Sequence, residues 1–262
     1  MSFFVDSHCH LDFPDLMALH DEVIDAMAAN RVGCALCVSV NLEDFPRVLG
    51  LAKRHPHLYA SVGVHPDNAD CEEPDVARLL TLADNPRIVA IGETGLDYYW
   101  HKDEPEWQRE RFRTHIRAAN ACDKPLIIHT RSAAADTLRL MAEEDAGKAG
   151  GVMHCFTESW EVAKAALDLG FYISFSGIVT FKNAKDLKEV ARKVPADRLL
   201  IETDSPYLAP VPYRGKTNQP AYVVHVAEEV AKLRETTVEH IAETTTENFF
   251  RLFKNATQPS VK

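Results

Sequence analysis

The sequence predicts a (β/α)8 barrel. Three observations lead there. Eight apolar, β-rich runs recur along 262 residues, most of them continuous rather than alternating, as parallel strands covered on both sides are. Segments with helical periodicity and charged faces separate them. Ligand-type side chains stand at the ends of successive runs, and such a barrel assembles its active site at the C-terminal ends of its strands.

The eight runs cover residues 3–5, 34–40, 58–64, 88–91, 126–128, 152–153, 171–175 and 199–201. Residues 16–29 read as a helix with Leu16, Leu19, Val23 and Met27 on one face. Residues 107–121 carry Trp107, Phe112, Ile116 and Ala119 at helical spacing. The charge-rich part of that segment, 108–117, reads as the solvated face of an outer helix. Residues 159–169 form a helix closed by Gly170, a good residue just past a C-cap. A proline-rich loop, 205–220, follows the eighth run. Two helices come after it, the last over 238–253 with Val238, Ile241, Phe249 and Phe253 on its apolar side. The tail 255–262 is expected to fray.

A chain of this length suits one α/β barrel or two small domains. No linker, low-complexity tract or short-period repeat divides it, so one domain over 1–262 is expected. A doubly wound open sheet is the alternative, but no Gly-rich phosphate loop follows the first run. With 46% hydrophobic and 26% charged residues, the composition is that of an ordinary globular protein. No apolar stretch approaches the ~20 residues of a membrane span, and no basic-then-apolar leader opens the chain. A cytoplasmic location is the expectation, with no membrane partner and a monomer as the default state. Six cysteines are scattered. Cys34 and Cys37 make a lone CxxC inside an apolar run, which reads as buried thiols in a reducing compartment. The net charge of -10 argues against a protein that coats nucleic acid. It does not exclude a nuclease, because carboxylates can hold the cations that meet phosphate.

The candidate site begins with His8-Cys9-His10. Alternation along a strand turns both imidazoles one way and Cys9 the other. His65 follows the third run, Glu93 ends the fourth, His129 the fifth, His154 the sixth, and Asp204 follows the eighth. Glu93 and Asp204 would be costly to bury unpaired, which favours a cation beside them. The set is too large for one tetrahedral ion. Two divalent ions sharing a carboxylate fit it: His8, His10 and Asp204 with Glu93 on one, His129 and His154 with Glu93 on the other. Two such ions, about 4 Å apart, can activate a water and neutralise a leaving oxygen. Asp204 is also positioned to orient that water or take its proton. Imidazole-rich donors suit Zn2+ or Mn2+.

SHCHLD, GVHP, GETGLDYY, KPLIIHTR, GVMHCFT, SFSGIVTF, ETDSPYLAP and RGKTNQP, in this order along nearly the whole chain, resemble the TatD family of metal-dependent deoxyribonucleases. The resemblance implies an amidohydrolase-like TIM barrel with a dinuclear centre, ligated by His8, His10, Glu93, His129, His154 and Asp204. It implies hydrolysis of DNA phosphodiester bonds, with 3′→5′ exonuclease action on single strands as the leading mode and Mg2+ as a supporting metal. His65 corresponds to a residue contacting the reacting phosphate. Glu202 corresponds to a further acidic residue near the metals, grouped here with substrate binding. Related amidohydrolases often bridge their metals with a carbamylated lysine on the fourth strand, where this chain has Glu93.

Other residues invite substrate roles. Arg131 either meets phosphate or makes a structural ion pair. Arg214, Lys216 and Asn218 lie in the loop after the eighth run and either bind the DNA backbone or are merely solvated. Tyr98, Tyr99 and Trp100 either stack on bases or pack against loops, and Phe156 and Trp160 share that ambiguity. The rival functions are a hydrolase of small phosphoesters, amides or aminoacyl-tRNA esters, and a binding scaffold without catalysis.

Overall fold

The computed structural model describes residues 2–102 and 105–258. Its strands are β1 (Phe4–Cys9), β2 (Val32–Cys37), β3 (Leu58–Val62), β4 (Ile88–Asp97), β5 (Leu126–Arg131), β6 (Gly151–Met153), β7 (Tyr172–Phe175) and β8 (Leu199–Ile201). They lie in sequence order in one eight-stranded sheet, with each consecutive pair parallel. The helices are α1 (Pro14–Met17), α2 (His20–Ala29), α3 (Phe45–Arg54), α4 (Val76–Ala83), α5 (Glu106–Cys122), α6 (Ala134–Glu143), α7 (Trp160–Asp168), α8 (Lys185–Lys193), α9 (Val223–Leu233) and α10 (Val238–Leu252). This is the (β/α)8 barrel that the sequence predicts. Among the described residues, no helix is long and apolar enough to cross a membrane.

The sheet closes into a barrel where β1 meets the segment after β8. Cys9 bridges Ser205 in parallel, the His10 N–H donates to the Ser205 carbonyl at 2.8 Å, and the Asp204 N–H donates to the His8 carbonyl at 2.9 Å. Asp6 adds a side-chain tie below them. Its carboxyl accepts from the Thr203 N–H at 2.8 Å and the Thr203 hydroxyl at 2.5 Å, while burial pushes its pKa up to about 8.

Two apolar layers follow from strand alternation. Ile127, Val152 and Leu200 belong to an inner cluster closed by Phe249 of α10 and by Phe253 just past it. Their neighbours Ile128, Met153 and Ile201 belong to the larger cluster under the helices. Two residues beyond the inner three come His129, His154 and Glu202, so the period of two carries these polar groups onto the inner face. In β1 the pairing slips between Asp6 and Cys9. Val5 joins the inner cluster and Cys9 the outer one, although a regular strand would put them on the same face. The slip leaves His8 and His10 on the inside.

Several boundaries differ from expectation. The predicted helix over 16–29 is broken into α1 and α2, which leaves Leu19 49% exposed instead of on the buried face. β4 runs on past Ile91 to Asp97, so Glu93 sits within the strand and not at its end. The tail is held at its start. Ala256 packs on the inner cluster, and Thr257 exchanges two hydrogen bonds with the Tyr59 hydroxyl. Residues 259–262 of the expected frayed tail lie outside the described residues. Gly170 closes α7 at φ +87, as its place past the C-cap requires. Cys34 and Cys37 are buried free thiols in different clusters.

Gly95 is a backbone position where β4 approaches β5 too closely for a side chain. Its φ is +137, and a Cβ built there would drive into the His129 carbonyl oxygen. Gly95→Ala should therefore destabilise the protein by at least about 2 kcal/mol, the scale of one strained backbone position plus a displaced neighbour. It should also weaken metal retention, because His129 must move. Urea unfolding and metal analysis check this. A stability change within about 0.5 kcal/mol would mean that β4 absorbs the side chain.

Candidate metal centre

The ligand-type residues converge at the floor of an open cavity of about 870 Å3 at the C-terminal ends of the strands. Glu93 lies at the centre and is only 2% exposed. Its Oε2 faces His8 Nε2 at 3.3 Å and His10 Nε2 at 3.8 Å. Its Oε1 faces His154 Nε2 at 2.7 Å, His129 Nδ1 at 3.3 Å and His65 Nε2 at 3.3 Å. Asp204 Oδ1 stands 3.6 Å from His8 Nε2 and 3.4 Å from His10 Nε2.

For His10, His129 and His154, hydrogen bonds on the far side of the ring set which nitrogen is free. His10 Nδ1 donates to the Val38 carbonyl at 3.0 Å. His129 Nε2 lies 3.0 Å from Asp97 Oδ2, and His154 Nδ1 lies 3.3 Å from Glu202 Oε1. A neutral imidazole has one N–H. With that proton committed outward, the other nitrogen of each ring turns a lone pair toward Glu93 or Asp204. His154 Nε2 makes no hydrogen bond although Glu93 Oε1 is 2.7 Å away. Lone pairs and carboxylate oxygens facing one another across about 3 Å repel unless positive charge lies between them. Protons or metal ions can supply it, and imidazole plus carboxylate is a donor set suited to divalent transition metals. The residues therefore fit a metal centre.

The pKa directions carry the same message. Burial pushes Glu93 up, but His154, His65 and His8 outweigh it and hold the carboxyl well below the usual range. Burial pushes His154 down, but Glu93 and Glu202 outweigh it and raise the ring well above its ordinary value. His10 and His129 are raised in the same way, by Asp204 with Glu93 and by Asp97 with Glu93. Asp204 stays below the ordinary carboxylate value because His10 and His8 outweigh its burial. Three groups have donor atoms close enough to share an ion: His8, His10 and Asp204; His65, Glu93 and His129; and His8, His154 and Glu202.

The family model for TatD related DNase matches residues 5–254. YcfH of Escherichia coli K12, described as an uncharacterized metal-dependent hydrolase, is 51% identical over 254 residues that cover 96% of each chain. This chain belongs to the TatD family of metal-dependent hydrolases. The solved structure of YJJV, a TatD homolog from Escherichia coli K12, has a TM-score of 0.89 and 28% identity, covering 96% of this chain and 98% of that one. An uncharacterized amidohydrolase from Saccharomyces cerevisiae shares the fold, with a TM-score of 0.83 at 18% identity over 97% of this chain and all of its own.

In this TatD-family chain His65 stands apart from the other rings. Its Nδ1 accepts the Asp67 N–H at 3.0 Å, so Nε2 carries the proton and points at Glu93 as a donor. Burial lowers its pKa and keeps the ring neutral. Arg131 reaches the cavity wall with its guanidinium 3.8 Å from the centroid of the Tyr99 ring.

Other sequence expectations need correction. Glu202 is 0% exposed and lies behind His154, where it accepts from His154 Nδ1 and the Cys155 N–H; it cannot reach substrate. Asn218 is also fully buried, and its amide donates to the Thr203 and Tyr207 carbonyls. It folds the loop after β8 inward instead of lining its rim. Arg214 and Lys216 are exposed beside Phe181 and Tyr213, outside the cavity wall. Tyr98 is buried with its hydroxyl on Asp136, Phe156 is core, and Trp160 packs at the start of α7 under Lys193.

The largest omission is the inner face of α5. Gln108, Arg111 and His115 are buried there, at a spacing that aligns them on one side of a helix. Gln108 Oε1 accepts the Asp97 N–H at 3.0 Å and its Nε2 donates to the Pro66 carbonyl at 2.9 Å. Arg111 donates to the His65 and Asn68 carbonyls at 3.0 and 2.7 Å. His115 Nε2 accepts the Val64 N–H at 3.0 Å, and its Nδ1 donates to the Arg111 carbonyl at 2.7 Å. The segment expected to be a solvated face thus clamps the His65 loop and Asp97, the partner of His129. Only the polar stripe at 108, 111 and 115 signals this, and a search for apolar periodicity passes over it.

His115 gives the clamp a pH signature. Burial pushes its pKa from 6.5 down to about 4. The unfolded chain takes up that proton near pH 6.5, and the folded chain only near pH 4. The stability that depends on neutral His115 is therefore intact above pH 6.5 and is lost as pH falls toward 4, by about 3 kcal/mol in all. His115→Gln keeps a donor and an acceptor without the titration. In urea unfolding, the parent's advantage over His115→Gln should shrink by that amount between pH 7 and 4. A constant difference would mean that His115 titrates normally.

Proposed function

We propose that this chain is a deoxyribonuclease that hydrolyses DNA phosphodiester bonds at a dinuclear metal centre. A 3′→5′ exonuclease acting on single strands is the leading mode. The observation that carries the dinuclear reading is the division of Glu93, one oxygen toward His8 and His10 and the other toward His129 and His154. On this reading His8, His10 and Asp204 would hold one ion and His129 and His154 the other, with Glu93 available to both. Glu202 and Asp97 fix the ring orientations of His154 and His129, as carboxylates behind metal-bound imidazoles do. The third possible grouping, His8 with His154 and Glu202, uses the Nδ1 face of His154 that Glu202 already occupies as a hydrogen-bond acceptor.

Zn2+, Mn2+ or Mg2+ held there would supply Lewis-acid polarisation of a phosphoryl group, a lowered pKa for an attacking water and charge neutralisation at the leaving oxygen. The protein's own groups supply the rest. Asp204 faces the cavity as a carboxylate and orients the water and accepts its proton. His65 would turn its Nε2–H from Glu93 to a non-bridging phosphate oxygen. Arg131 meets a neighbouring phosphate through the N–H edge of its guanidinium, which leaves the face for stacking, and Arg214 and Lys216 are left for more distant phosphates on a longer strand. The matching family model, TatD related DNase, supports DNA as the substrate, and the six free thiols suit a reducing cytoplasm. The deciding experiment is a screen of metal-reconstituted protein against labelled single-stranded DNA, duplex DNA, RNA and aminoacyl esters. Turnover confined to the esters would replace the nuclease reading with the ester-hydrolase one.

Two variants test the roles. Glu93→Ala removes one ligand from each ion, so metal analysis should find both lost and activity at background. His154→Ala should lose mainly one ion. Full dual occupancy in Glu93→Ala would refute the bridge. Asp204→Asn should fold and turn over at least about 100-fold more slowly, the scale of lost general acid–base help. Turnover within a few-fold of the parent would remove Asp204 from the mechanism.

A further inference from the structure

We infer that the cavity carries two nucleobase-stacking subsites on opposite sides of the metal centre, Phe13–Tyr207 on one wall and Trp100–Arg131 on the other. The scissile phosphodiester lies between two nucleosides, one stacked on each wall. This deepens the nuclease reading above and rests on it.

The topology sets the two walls apart. In a ring of eight strands in sequence order, the β8/β1 seam is diametrically opposite the β4/β5 pair. Phe13 follows β1 and Tyr207 follows β8. Trp100 follows β4, and Arg131 ends β5. All four line the cavity. On the first wall Phe13 lies stacked 4.8 Å from the His10 ring, with Tyr207 edge-on to it at 6.1 Å. On the second, Tyr99 supports the Arg131 guanidinium at 3.8 Å, and the same guanidinium lies 5.7 Å from Trp100. Trp100 is 61% exposed and Tyr207 56% exposed. Single exposed apolar residues need no explanation, but two large aromatic rings exposed across one cavity form a matched pair of flat surfaces.

The charge of the cavity gives these rings work. Arg131 is the sole lysine or arginine among the described lining residues, against the carboxylates of Asp67, Glu93, Asp97 and Asp204. Beyond the reacting phosphate, such walls offer a polyanion little electrostatic grip. Base faces are neutral and flat, and aromatic rings or a guanidinium plane bind them whatever the sequence. The cavity of about 870 Å3 exceeds what a phosphate alone needs and lies in the range of sites for whole small molecules. The Trp100 loop is also tied to the metal centre, because Asp97, which orients His129, accepts the Tyr99 and Trp100 N–H groups at 2.9 and 3.3 Å.

The test uses metal-loaded protein and a phosphorothioate-linked dinucleotide, with analogues lacking the base on one side or the other. Binding should quench Trp100 emission, which Trp100→Phe identifies against Trp107 and Trp160. Trp100→Ala and Tyr207→Ala should each weaken binding by about 5- to 100-fold, the range of one base–aromatic stack. Trp100→Phe should restore most of the affinity. Removing the base on one side should make Trp100→Ala harmless, and removing the other should make Tyr207→Ala harmless, the coupling expected of direct partners. If the parent cleaves DNA while both alanine variants bind and cleave as it does, the stacking inference fails and the nuclease reading stands. The stacking inference fails in the same way if affinity depends on the bases but not on these side chains. A metal-loaded parent that neither binds the dinucleotide nor cleaves DNA overturns both.

Discussion

One buried carboxylate organises this protein. Glu93 sits within β4 with imidazoles on both sides, and a charge so deeply buried is tolerated only when it is compensated. The compensation is distributed around the barrel, since β1, β5 and the residue just after β6 each send histidine to it. Each of His10, His129 and His154 has its second nitrogen anchored to a carbonyl or carboxylate behind it, which fixes the ring and aims a lone pair inward. Without a cation, protons on these rings fill the role, which is why His10, His129 and His154 are raised. Metal and proton therefore compete for the same nitrogens, and metal binding by such a site releases protons.

The surrounding scaffold is arranged to keep these groups from moving. The seam between the first and last strands passes through the candidate ligands themselves: the Asp204 N–H bonds the His8 carbonyl and the His10 N–H bonds the Ser205 carbonyl. Barrel closure and the His8–His10–Asp204 cluster are thus one structure. On the opposite side, α5 holds the His65 loop and Asp97 through Gln108, Arg111 and His115. These bonds satisfy backbone groups that would otherwise be buried without partners, and leaving such a group unpaired costs more than the bond itself contributes. Position and stability are coupled here, so damage to the clamp reaches the site through geometry before any ligand is touched.

The electrostatics of the cavity match a metal-dependent hydrolase better than a protein that relies on its own cations. The chain has a net charge of -10, and the cavity gathers carboxylates. Such a site repels a phosphodiester until divalent ions reverse its local sign. That arrangement makes metal loading a precondition for binding a polyanion. It leaves neutral flat surfaces, more than basic ones, to recognise what lies on either side of the reacting group.

Much of this was legible in the sequence because it is local. Strand-sized apolar runs with helical spacers define the barrel, and alternation with a period of two explains why His8 and His10 converge, and likewise Ile127 with His129 and Val152 with His154. The ends of strands in such a barrel meet at one face whatever the details of packing, so the convergence of these His, Glu and Asp side chains followed once the fold was read. What the sequence could not decide depends on where a side chain finds its partner. Asp97 looks like any carboxylate after a strand until β4 proves to run through it and His129 lies 3.0 Å away. Gln108, Arg111 and His115 look like a hydrated face until α5 is packed with that face inward. Asn218 looks like a rim residue until the loop after β8 turns it inward, and Glu202 like a substrate contact until the barrel encloses it behind His154. Periodicity reports which face of an element is apolar. Only the tertiary structure reports which polar groups are buried, because their burial depends on hydrogen-bond partners that lie tens of residues away in the chain.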